Sequence, residues 1–438
     1  MPARRFAPGS TAVYGILWLA VVIQGWSPLI DPDVMLRLEY PADSASRKTS
    51  RELVFAEAIE RAPALEKRLL AALYGSREEV LKSAIDTQQQ VLAGLQEQGF
   101  PTDGTRAQLA VLLAEANLSE ATPGLQARGL VDWYADALER QRAVTTGDLD
   151  AARSLSEQIV ERGQRWKRQS LALLASKLAL VILGLALATT RLPAFRKLLR
   201  GDPTGSPWSF EDGIGVFVRG DFWNRLYFVM LYGLSAQPFG LALSESPVGG
   251  LLHTWGTLFA SLPLLWLVHH HLLTPHGCSA TQAFGLKIGL RQALGVGACA
   301  LALDLLGSPI LAWASWAIHA GSSWTEGFDE ALVWGTNLDA LRTTMDYVLW
   351  APALEELAFR GVLYYSLRRR LSPMAAALAT AGFFAGLHFY SLPGFLMTAW
   401  SGLVWALAFE RLRSLLPGIG AHAVYNLLYV AELVLLYR

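Results

Sequence analysis

Cysteine is nearly absent from this 438-residue sequence, and neither sign of charge is in excess. Its two cysteines, Cys278 and Cys299, both lie in apolar stretches, so the polar part of the chain has no disulfide framework and must fold by packing alone. The 37 basic residues equal the 37 acidic residues. Because nothing concentrates enough Lys and Arg to release counterions from phosphates, we expect no nucleic acid as a partner.

Charge is also scarce, at 17% of residues against 53% apolar residues, and it is unevenly distributed. Residues 31–169 hold 18 basic and 22 acidic side chains among 139 residues, whereas the other 299 residues hold 19 basic and 15 acidic ones. The first stretch can remain in water, and the second needs an apolar solvent. The composition therefore predicts a membrane protein with one water-soluble domain, and the lipid bilayer is its first partner.

Runs of about 20 mostly apolar residues predict transmembrane helices. We place about nine of them, at 11–30, 170–190, 224–243, 251–273, 292–316, 344–367, 374–391, 394–410 and 417–436. The first run is long for a signal peptide and no cleavage site follows it, so we interpret it as a retained anchor. The predicted fold class is all-α: a polytopic helical membrane protein divided into an anchor (1–30), a polar domain (31–169), further spans with a cytoplasmic loop (170–279) and a final helical region (280–438).

The orientation follows from the short loops, because Lys and Arg accumulate on the cytoplasmic side. The loops that we assign to the cytoplasm carry Arg191, Arg196, Lys197, Arg200, Arg219, Lys287, Arg291, Arg368, Arg369, Arg370, Arg411 and Arg413. The opposite loops carry only Arg342. We therefore expect an integral protein of a bacterial inner (cytoplasmic) membrane, with its amino terminus in the cytoplasm and residues 31–169 outside.

The polar domain repeats apolar residues at intervals of three and four, which predicts helices throughout. Gly-Phe-Pro at 99–101 and Thr-Pro-Gly at 122–124 predict helix breaks, because proline cannot continue a helix and disfavours helical dihedral angles in the residue before it. The simplest interpretation is a small extracytoplasmic helical bundle inserted between two membrane anchors.

Charged side chains at membrane depth are costly, so each is a functional candidate. In the run APALEELAFRGVLYYSLRRR, Glu356 and Arg360 are four residues apart and predict an ion pair on one helix face. Glu355 projects about 100° away and has no partner in its own helix. Pro352, just upstream, predicts a kink and a carbonyl left free.

Two further motifs lie on later helices. In GFFAGLHF, Phe384 and His388 are four apart, and in GIGAHAVYN the same spacing separates His422 from Asn426. A carboxylate, two imidazoles and an amide that converge in one pocket could activate a water and bind an oxyanion, which amide hydrolysis requires.

The order E-E-x-x-x-R, F-x-x-x-H, H-x-x-x-N is complete, and the sequence resembles the CPBP family of intramembrane proteases, named for CAAX prenyl proteases and bacteriocin processing. The resemblance covers roughly 280–438 and implies a peptide hydrolase without a cofactor. Glu355 would activate water with His388, His422 and Asn426 would stabilise the oxyanion, and Glu356 and Arg360 would support them. The substrate would be a membrane-associated or lipidated protein. Eukaryotic members of the family cut after a prenylated cysteine, but that substrate does not carry over to a bacterial member.

Two alternatives remain open, and the first of them uses the same residues. Glu355, His388 and His422 form a His₂Glu set of the kind that holds catalytic zinc, although no H-E-x-x-H is present. The second alternative is a transporter or scaffold, which is suggested by a histidine cluster (His269, His270, His271, His276) and by Asp304 within a span.

The three motifs do not lie at the same predicted depth. In straight helices His422 would lie shallower than Glu355 and His388, so the motifs meet only if the 411–421 loop dips or a helix tilts strongly.

Overall fold

The computed structural model describes residues 6, 9–25, 40–118, 130, 132–189, 205–235, 247–318, 320–321 and 324–438. None of these residues lies in a strand, so the predicted all-α class is confirmed. The longer helices are α1 (Ser10–Gly25), α2 (Pro41–Glu60), α3 (Ala64–Tyr74), α4 (Arg77–Glu97), α5 (Asp103–Glu115), α6 (Trp133–Thr146), α7 (Leu149–Thr189), α8 (Phe210–Ser235), α9 (Pro247–Thr254), α10 (Gly256–Leu267), α11 (Leu290–Ala317), α13 (Pro373–Gly386), α14 (Leu392–Leu412) and α15 (Leu416–Tyr437). Between α11 and α13, α12 is an unbroken helical run of the segments Asn337–Met345, Asp346–Trp350, Ala351–Glu355, Glu356–Tyr364 and Tyr365–Leu367.

Each predicted span overlaps a helix of the structure. The helices α7, α11, α14 and α15 are each long and apolar enough to cross a membrane, and α1 and α13 are apolar but shorter. The chain is therefore a polytopic membrane protein. The count of nine transmembrane helices stays a prediction.

The predicted start of one span is wrong. The helix α8 begins at Phe210 rather than near residue 224, so Arg219, assigned to a cytoplasmic loop, lies inside a helix. Its guanidinium is buried and donates hydrogen bonds to the Gly215 carbonyl at 2.9 Å and to the Ser10 hydroxyl at 2.8 Å. Local hydropathy misses such a residue, because the buried charge is satisfied by groups from its own helix and from α1. Residues 236–243 of that span lie outside the described residues.

The chain divides into two compact units, of which the polar unit comprises Asp33–Ala175, Ser323–Trp334 and Glu432–Arg438. Its core is built from the apolar faces of α2, α4, α5, α6 and α7, packed around the fully buried rings of Trp133 and Tyr134. The helical periodicity predicted for this region is thus what buries its core.

One of the two predicted helix breaks is confirmed. The helix α4 ends at Glu97, Gly99 has a left-handed φ of 71°, and α5 begins only at Asp103, two residues after Pro101. The predicted break at 122–124 lies outside the described residues.

The polar unit joins segments from distant parts of the sequence. The backbone N–H of Tyr40 and the hydroxyl of Ser44 donate to the Glu330 carboxylate at 2.9 and 2.7 Å. Near the carboxyl end, the hydroxyl of Tyr437 donates to the Glu52 carboxylate at 3.0 Å. The start of α2, the segment before α12 and the end of the chain therefore fold together.

The membrane unit comprises Met1–Pro32, Ser176–Ser322 and Gly335–Ala431. Small residues allow its helices to approach closely, as is usual between membrane helices. A Cβ atom at Gly184 of α7 would collide with the Ala298 carbonyl of α11, and one at Gly402 of α14 would lie 3.1 Å from the Ala381 Cα atom of α13. The helices α8 and α10 to α15 contribute buried residues to one common apolar core.

A buried ion pair closes one end of α12. Arg368 directly follows the helix and was expected to be solvated in a cytoplasmic loop, but its side chain is fully buried and lies 3.1 Å from the Glu410 carboxylate of α14. The Tyr364 hydroxyl donates to the same carboxylate at 2.7 Å. This network connects the helix of the first motif to α14.

Candidate active site

The helix of the first motif, α12, is not a regular α-helix. Its segments Asp346–Trp350 and Glu356–Tyr364 have π-helical spacing, in which hydrogen bonds reach five residues back. The N–H of Ala351 accordingly donates to the carbonyl of Asp346. Residue 352, the next donor in that pattern, is a proline and has no N–H. The loss of one backbone hydrogen bond that Pro352 predicts is therefore present, one turn before the motif, and the kink stays a prediction.

The two adjacent glutamates of the first motif have different surroundings. The Glu356 side chain is 1% exposed and lies 2.9 Å from the Arg360 guanidinium, so the predicted ion pair is confirmed. Arg360 also donates to the Gly402 carbonyl at 3.1 Å and lies over the Phe384 ring. The Glu355 side chain is 26% exposed, and its Oε2 accepts no hydrogen bond from any residue that the structure describes. The environment thus separates a sealed carboxylate from a partly exposed one.

Glu355 opens onto a cavity of about 560 Å³ within the membrane unit. The cavity also receives His388 and residues of α8 and α10. Its lining consists of Val21, Phe217, Gly220, Asp221, Asn224, Arg225, Phe228, Val229, Thr257, Ser261, Leu264, Leu354, Glu355, Ala358, Phe359, Leu387, His388 and Phe389. The first two motifs therefore meet at one cavity, whose volume is within the range of small-ligand sites.

His388 does not lie on a helix, contrary to the predicted span 374–391. The helix α13 ends at Gly386, and His388 follows in a turn where Phe389 takes a left-handed φ of 57°. The His388 Nδ1 lies 2.6 Å from the Phe384 carbonyl oxygen. A carbonyl only accepts, so Nδ1 carries the proton and Nε2 is the basic nitrogen of the neutral ring. A non-glycine residue at positive φ is strained, and such strain is concentrated at functional sites.

His422, on α15, lies between the two glutamates. Its Nδ1 is 3.5 Å from Glu356 Oε1, and its Nε2 is 3.9 Å from Glu355 Oε2. The indole of Trp405 stacks on the imidazole with ring centroids 4.0 Å apart. The third motif thus reaches the carboxylates of the first one, although His422 does not line the cavity.

The first turn of α15 explains how His422 reaches the two glutamates, although the sequence predicted that it lies shallower in the membrane. The predicted 411–421 loop is wrong for most of its length, because α14 ends at Leu412 and α15 already begins at Leu416. Gly418, in the first turn of α15, packs against Glu356 so closely that a Cβ atom there would lie 2.5 Å from Glu356 Oε2. The absence of a side chain at Gly418 therefore lets α15 start at the depth of the glutamates.

Asn426 is not among the residues that line the cavity. Its side-chain amide donates to the carbonyl of Tyr347 at 2.8 Å. In the π-helical pattern, that carbonyl is the one that the missing N–H of Pro352 would have served. The structure therefore brings together Glu355, Glu356, Arg360 and His422, and it brings His388 to the cavity, while Asn426 contacts α12.

Two site residues were missed by the sequence analysis. Asp221 and Arg225 of α8 form an ion pair with 2.7 Å between Nε and Oδ2, and both line the cavity. The indole of Trp18 donates to Asp221 at 2.6 Å, and Arg225 donates to the Leu387 carbonyl at 3.3 Å. The spacing of four residues between opposite charges in an apolar stretch was a usable signal. The predicted span begins at residue 224, so it includes Arg225 and leaves Asp221 outside.

The residues that suggested a transporter have local partners. Asp304 is fully buried and accepts a hydrogen bond from the Ser401 hydroxyl at 2.7 Å. In the histidine cluster, the His271 ring stacks on Phe6 and the His270 ring lies against Trp266. Within the described part of the chain, no three His, Cys, Asp or Glu side chains are grouped as metal ligands. The zinc alternative for Glu355, His388 and His422 stays untested.

Comparison with known proteins identifies the region that carries the motifs. A family model described as Type II CAAX prenyl endopeptidase Rce1-like matches residues 337–428. No curated protein and no solved structure matches the chain. The matched region starts at the first residue of α12 and ends within α15, so it contains all three motifs. Residues 337–428 are thus an Rce1-like CAAX endopeptidase domain, the type of domain that defines the CPBP family.

Proposed function

We propose that this protein hydrolyses peptide bonds of a membrane-associated or lipidated protein substrate with a water activated by Glu355 and His388. The single observation that carries the proposal is the shared cavity of about 560 Å³, to which both side chains contribute. Glu356, one residue away, is sealed and paired with Arg360, so the two glutamates are suited to different tasks.

In the proposed mechanism, Glu355 accepts one proton from the water, and the Nε2 atom of His388 accepts a hydrogen bond from its other O–H, as the water oxygen attacks the carbonyl carbon of the scissile bond. The proton then passes to the amide nitrogen as the bond between carbon and nitrogen breaks. The hydrogen bond from His388 Nδ1 to the Phe384 carbonyl supports this role, because it keeps Nε2 as the basic nitrogen.

The oxyanion of the tetrahedral intermediate needs donors, which the family resemblance assigns to His422 and Asn426. The position of His422, 3.9 Å from Glu355, supports a role beside the reacting water. An asparagine amide has two N–H donors, and the Tyr347 carbonyl takes one of those of Asn426. We infer that Asn426 contributes first by holding α15 against α12, and that any donation to an oxyanion uses its second N–H.

The lining of the cavity supports a substrate that enters from the bilayer. Apolar side chains, including Phe217, Phe228 and Leu264, surround the few polar groups near Glu355. Such a cavity favours an apolar or lipid-bearing peptide segment over a charged one. It does not define a cleavage sequence.

We further propose the orientation that the loop charges predict, with the polar unit outside the cytoplasm. The polar unit supports it, because it contains residues of three segments that the loop charges assign to the same side. These are the polar domain, the loop before α12 and the carboxyl terminus.

The proposal is tested with the purified full-length protein in lipid nanodiscs, assayed on a farnesylated carboxyl-terminal peptide and on the same peptide without the lipid. Glu355→Gln keeps the side-chain volume but removes the base, so turnover should fall by about 100-fold or more while the thermal midpoint stays unchanged. Near-normal turnover of Glu355→Gln would overturn the catalytic assignment.

Arg360→Ala is the structural counterpart in the same assay. It leaves Glu356 as a buried charge without its partner, which should lower the free energy of unfolding by about 3–5 kcal/mol. The two variants together separate loss of chemistry from loss of fold.

A further inference from the structure

The polar unit contains a cavity of its own, of about 600 Å³, between α2 and α7. Four of its lining residues are arginines and two are acidic. The lining consists of Ser50, Arg51, Val54, Asp132, Gln158, Glu161, Arg162, Arg165, Trp166 and Arg168. We call this cavity the arginine cleft. Neither the three motifs nor the matched family region includes any of its residues.

The sequence builds the arginine cleft through one close helix contact. A Cβ atom at Gly163 of α7 would lie 2.5 Å from the Val54 carbonyl oxygen and 2.6 Å from the Ala58 Cβ atom of α2. Only glycine allows the two helices to pack at this distance. The contact brings Arg51 of α2 beside α7, where its guanidinium lies 4.5 Å from the centre of the Trp166 ring.

The charges of the arginine cleft are not balanced within it. Arg162 pairs with Asp136, but Arg165 forms no ion pair with any residue that the structure describes. The Nε atom of Arg51 is buried and has no hydrogen-bond partner in the described part of the chain. A guanidinium with a buried donor and no acceptor carries a desolvation cost that an added anion would relieve.

The pKa of Arg51 reports the same imbalance. Burial lowers it from the usual arginine value, and the nearby positive charges of Arg47, Arg162 and Arg165 lower it further, while Asp132 opposes them. Like charges held this close repel one another unless a counter-charge lies between them. The cleft is therefore preorganised for an anion.

The position of the arginine cleft along α7 indicates where that anion comes from. From Leu171 to Ala188 the helix is apolar apart from Ser176 and Lys177. Arg168 precedes Leu171 by about 4.5 Å of helix and Arg165 by about 9 Å, at 1.5 Å per residue. The headgroup layer of a bilayer extends about 5–7 Å beyond the hydrocarbon core. The Cα atom of Arg168 thus lies within the headgroup layer, and that of Arg165 lies about 2–4 Å beyond it, a distance that the long arginine side chain spans.

We propose that the arginine cleft binds a phosphate anion, supplied by the headgroup of an anionic phospholipid in the leaflet on the side of the polar unit. Guanidinium groups match phosphate oxygens in paired hydrogen bonds, and the planar Trp166 ring keeps Arg51 in place beside them. The bound lipid would connect α2 and α7 within the polar unit.

The test uses the purified full-length protein in nanodiscs of phosphatidylcholine alone or with phosphatidylglycerol, with retained lipid counted by native mass spectrometry and the thermal midpoint measured. Wild type should retain phosphatidylglycerol and melt at a higher temperature in its presence. The double variant Arg51→Gln, Arg165→Gln should retain about tenfold less. Arg153→Gln is the matched control, because Arg153 is exposed on the same helix outside the cleft.

Two outcomes would overturn the proposal. The first is equal retention of phosphatidylglycerol by wild type and the double variant, or equal losses in the double variant and the Arg153→Gln control. The second is stabilisation by inorganic phosphate, titrated into the protein in detergent, without any effect of phosphatidylglycerol. That result would identify a soluble phosphate as the ligand and reject the lipid.

Discussion

The side-chain amide of Asn426 donates to the carbonyl of Tyr347 at 2.8 Å, and this contact connects the last motif to the start of the helix that carries the first. The carbonyl lies five residues before Pro352, which has no N–H to give it. Asn426 of α15 thus donates a hydrogen bond to a carbonyl of α12 that Pro352 cannot serve. Pro352 lies about one turn and Tyr347 about two turns before Glu355, so this contact joins the two helices close to the site.

Asn426→Ala should therefore lower both the stability of the protein and its turnover. Removing the donor leaves the Tyr347 carbonyl with one partner fewer, which should lower the free energy of unfolding by about 1–2 kcal/mol. Thermal denaturation of the purified protein measures the change, with Leu427→Ala as a control because Leu427 is exposed on the same helix. A variant that lost turnover but melted like wild type would instead assign Asn426 to the oxyanion alone.

Gly418→Ala should disturb the supporting ion pair without changing any charged residue. The new methyl group would lie 2.5 Å from Glu356 Oε2, so it would push this carboxylate away from Arg360 at a cost of about 1–3 kcal/mol. Turnover should fall as well, because His422 contacts the same carboxylate. Both are measured on the purified protein, by thermal denaturation and by peptide cleavage.

Gly420→Ala is the matched control, since a Cβ atom at that position meets nothing within 4 Å. It should be neutral or slightly stabilising, as alanine is the better helix former. If the two alanine variants behaved alike, the tight contact between Gly418 and Glu356 would not matter for the site.

Arg225→Met should lower turnover more than stability. Arg225 donates to the Leu387 carbonyl and lies over the Phe389 ring, so it holds both sides of the turn that carries His388. Without it, the imidazole should lose its fixed position in the cavity, and kcat should fall more than KM changes. Arg225→Lys keeps a donor and should recover part of the activity.

The control for this position is Arg291→Met, because Arg291 is exposed at the start of α11 and does not line the cavity. If Arg225→Met had the kcat of the wild type, Arg225 would have no role in positioning His388.

The sequence predicted some of these features and could not predict others. Spacing along one helix was enough for the pair of Glu356 and Arg360, because residues four apart are neighbours on any helix. It was not enough for His388, since the apolar residues around it, Leu387 and Phe389, have the hydropathy of a span although the helix has already ended. Hydropathy measures burial and does not report where backbone hydrogen bonds stop.

The sequence could not predict the contacts between distant parts of the chain for a different reason. Arg225 meets Leu387, and Asn426 meets Tyr347, only because packing brings their helices together. Neither pair has a periodicity that a single sequence could reveal. The same holds for Gly418, whose importance depends on a side chain of another helix.

Cysteine labelling tests the proposed orientation. Cys278 is half-buried in the turn region after α10, on the predicted cytoplasmic side, and Cys299 is buried within α11. A membrane-impermeant thiol reagent should therefore modify Cys278 in inside-out vesicles and not in intact cells. The variant Cys278→Ser, which retains Cys299 alone, should remain unlabelled until it is denatured. Labelling of Cys278 in intact cells would reverse the orientation.

The choice between glutamate and zinc chemistry needs a measurement of metal dependence, because part of the geometry suits both. A histidine whose Nδ1 donates to a carbonyl, as that of His388 does, presents Nε2 equally well to a water or to a metal. The family resemblance favours the metal-free mechanism, because it assigns His422 and Asn426 to the oxyanion and not to a metal.

We therefore expect turnover to survive exhaustive dialysis of the purified protein against a chelator, and added zinc to leave the rate unchanged. In the direct mechanism Glu355 and His388 supply the base themselves, so no step requires a metal-bound water. In the zinc mechanism the ion would lower the pKa of the water, and chelation would remove activity that zinc restores. Elemental analysis provides the second readout. About one tightly held zinc per chain, lost together with activity in His422→Ala, would establish the zinc site and reject the direct mechanism.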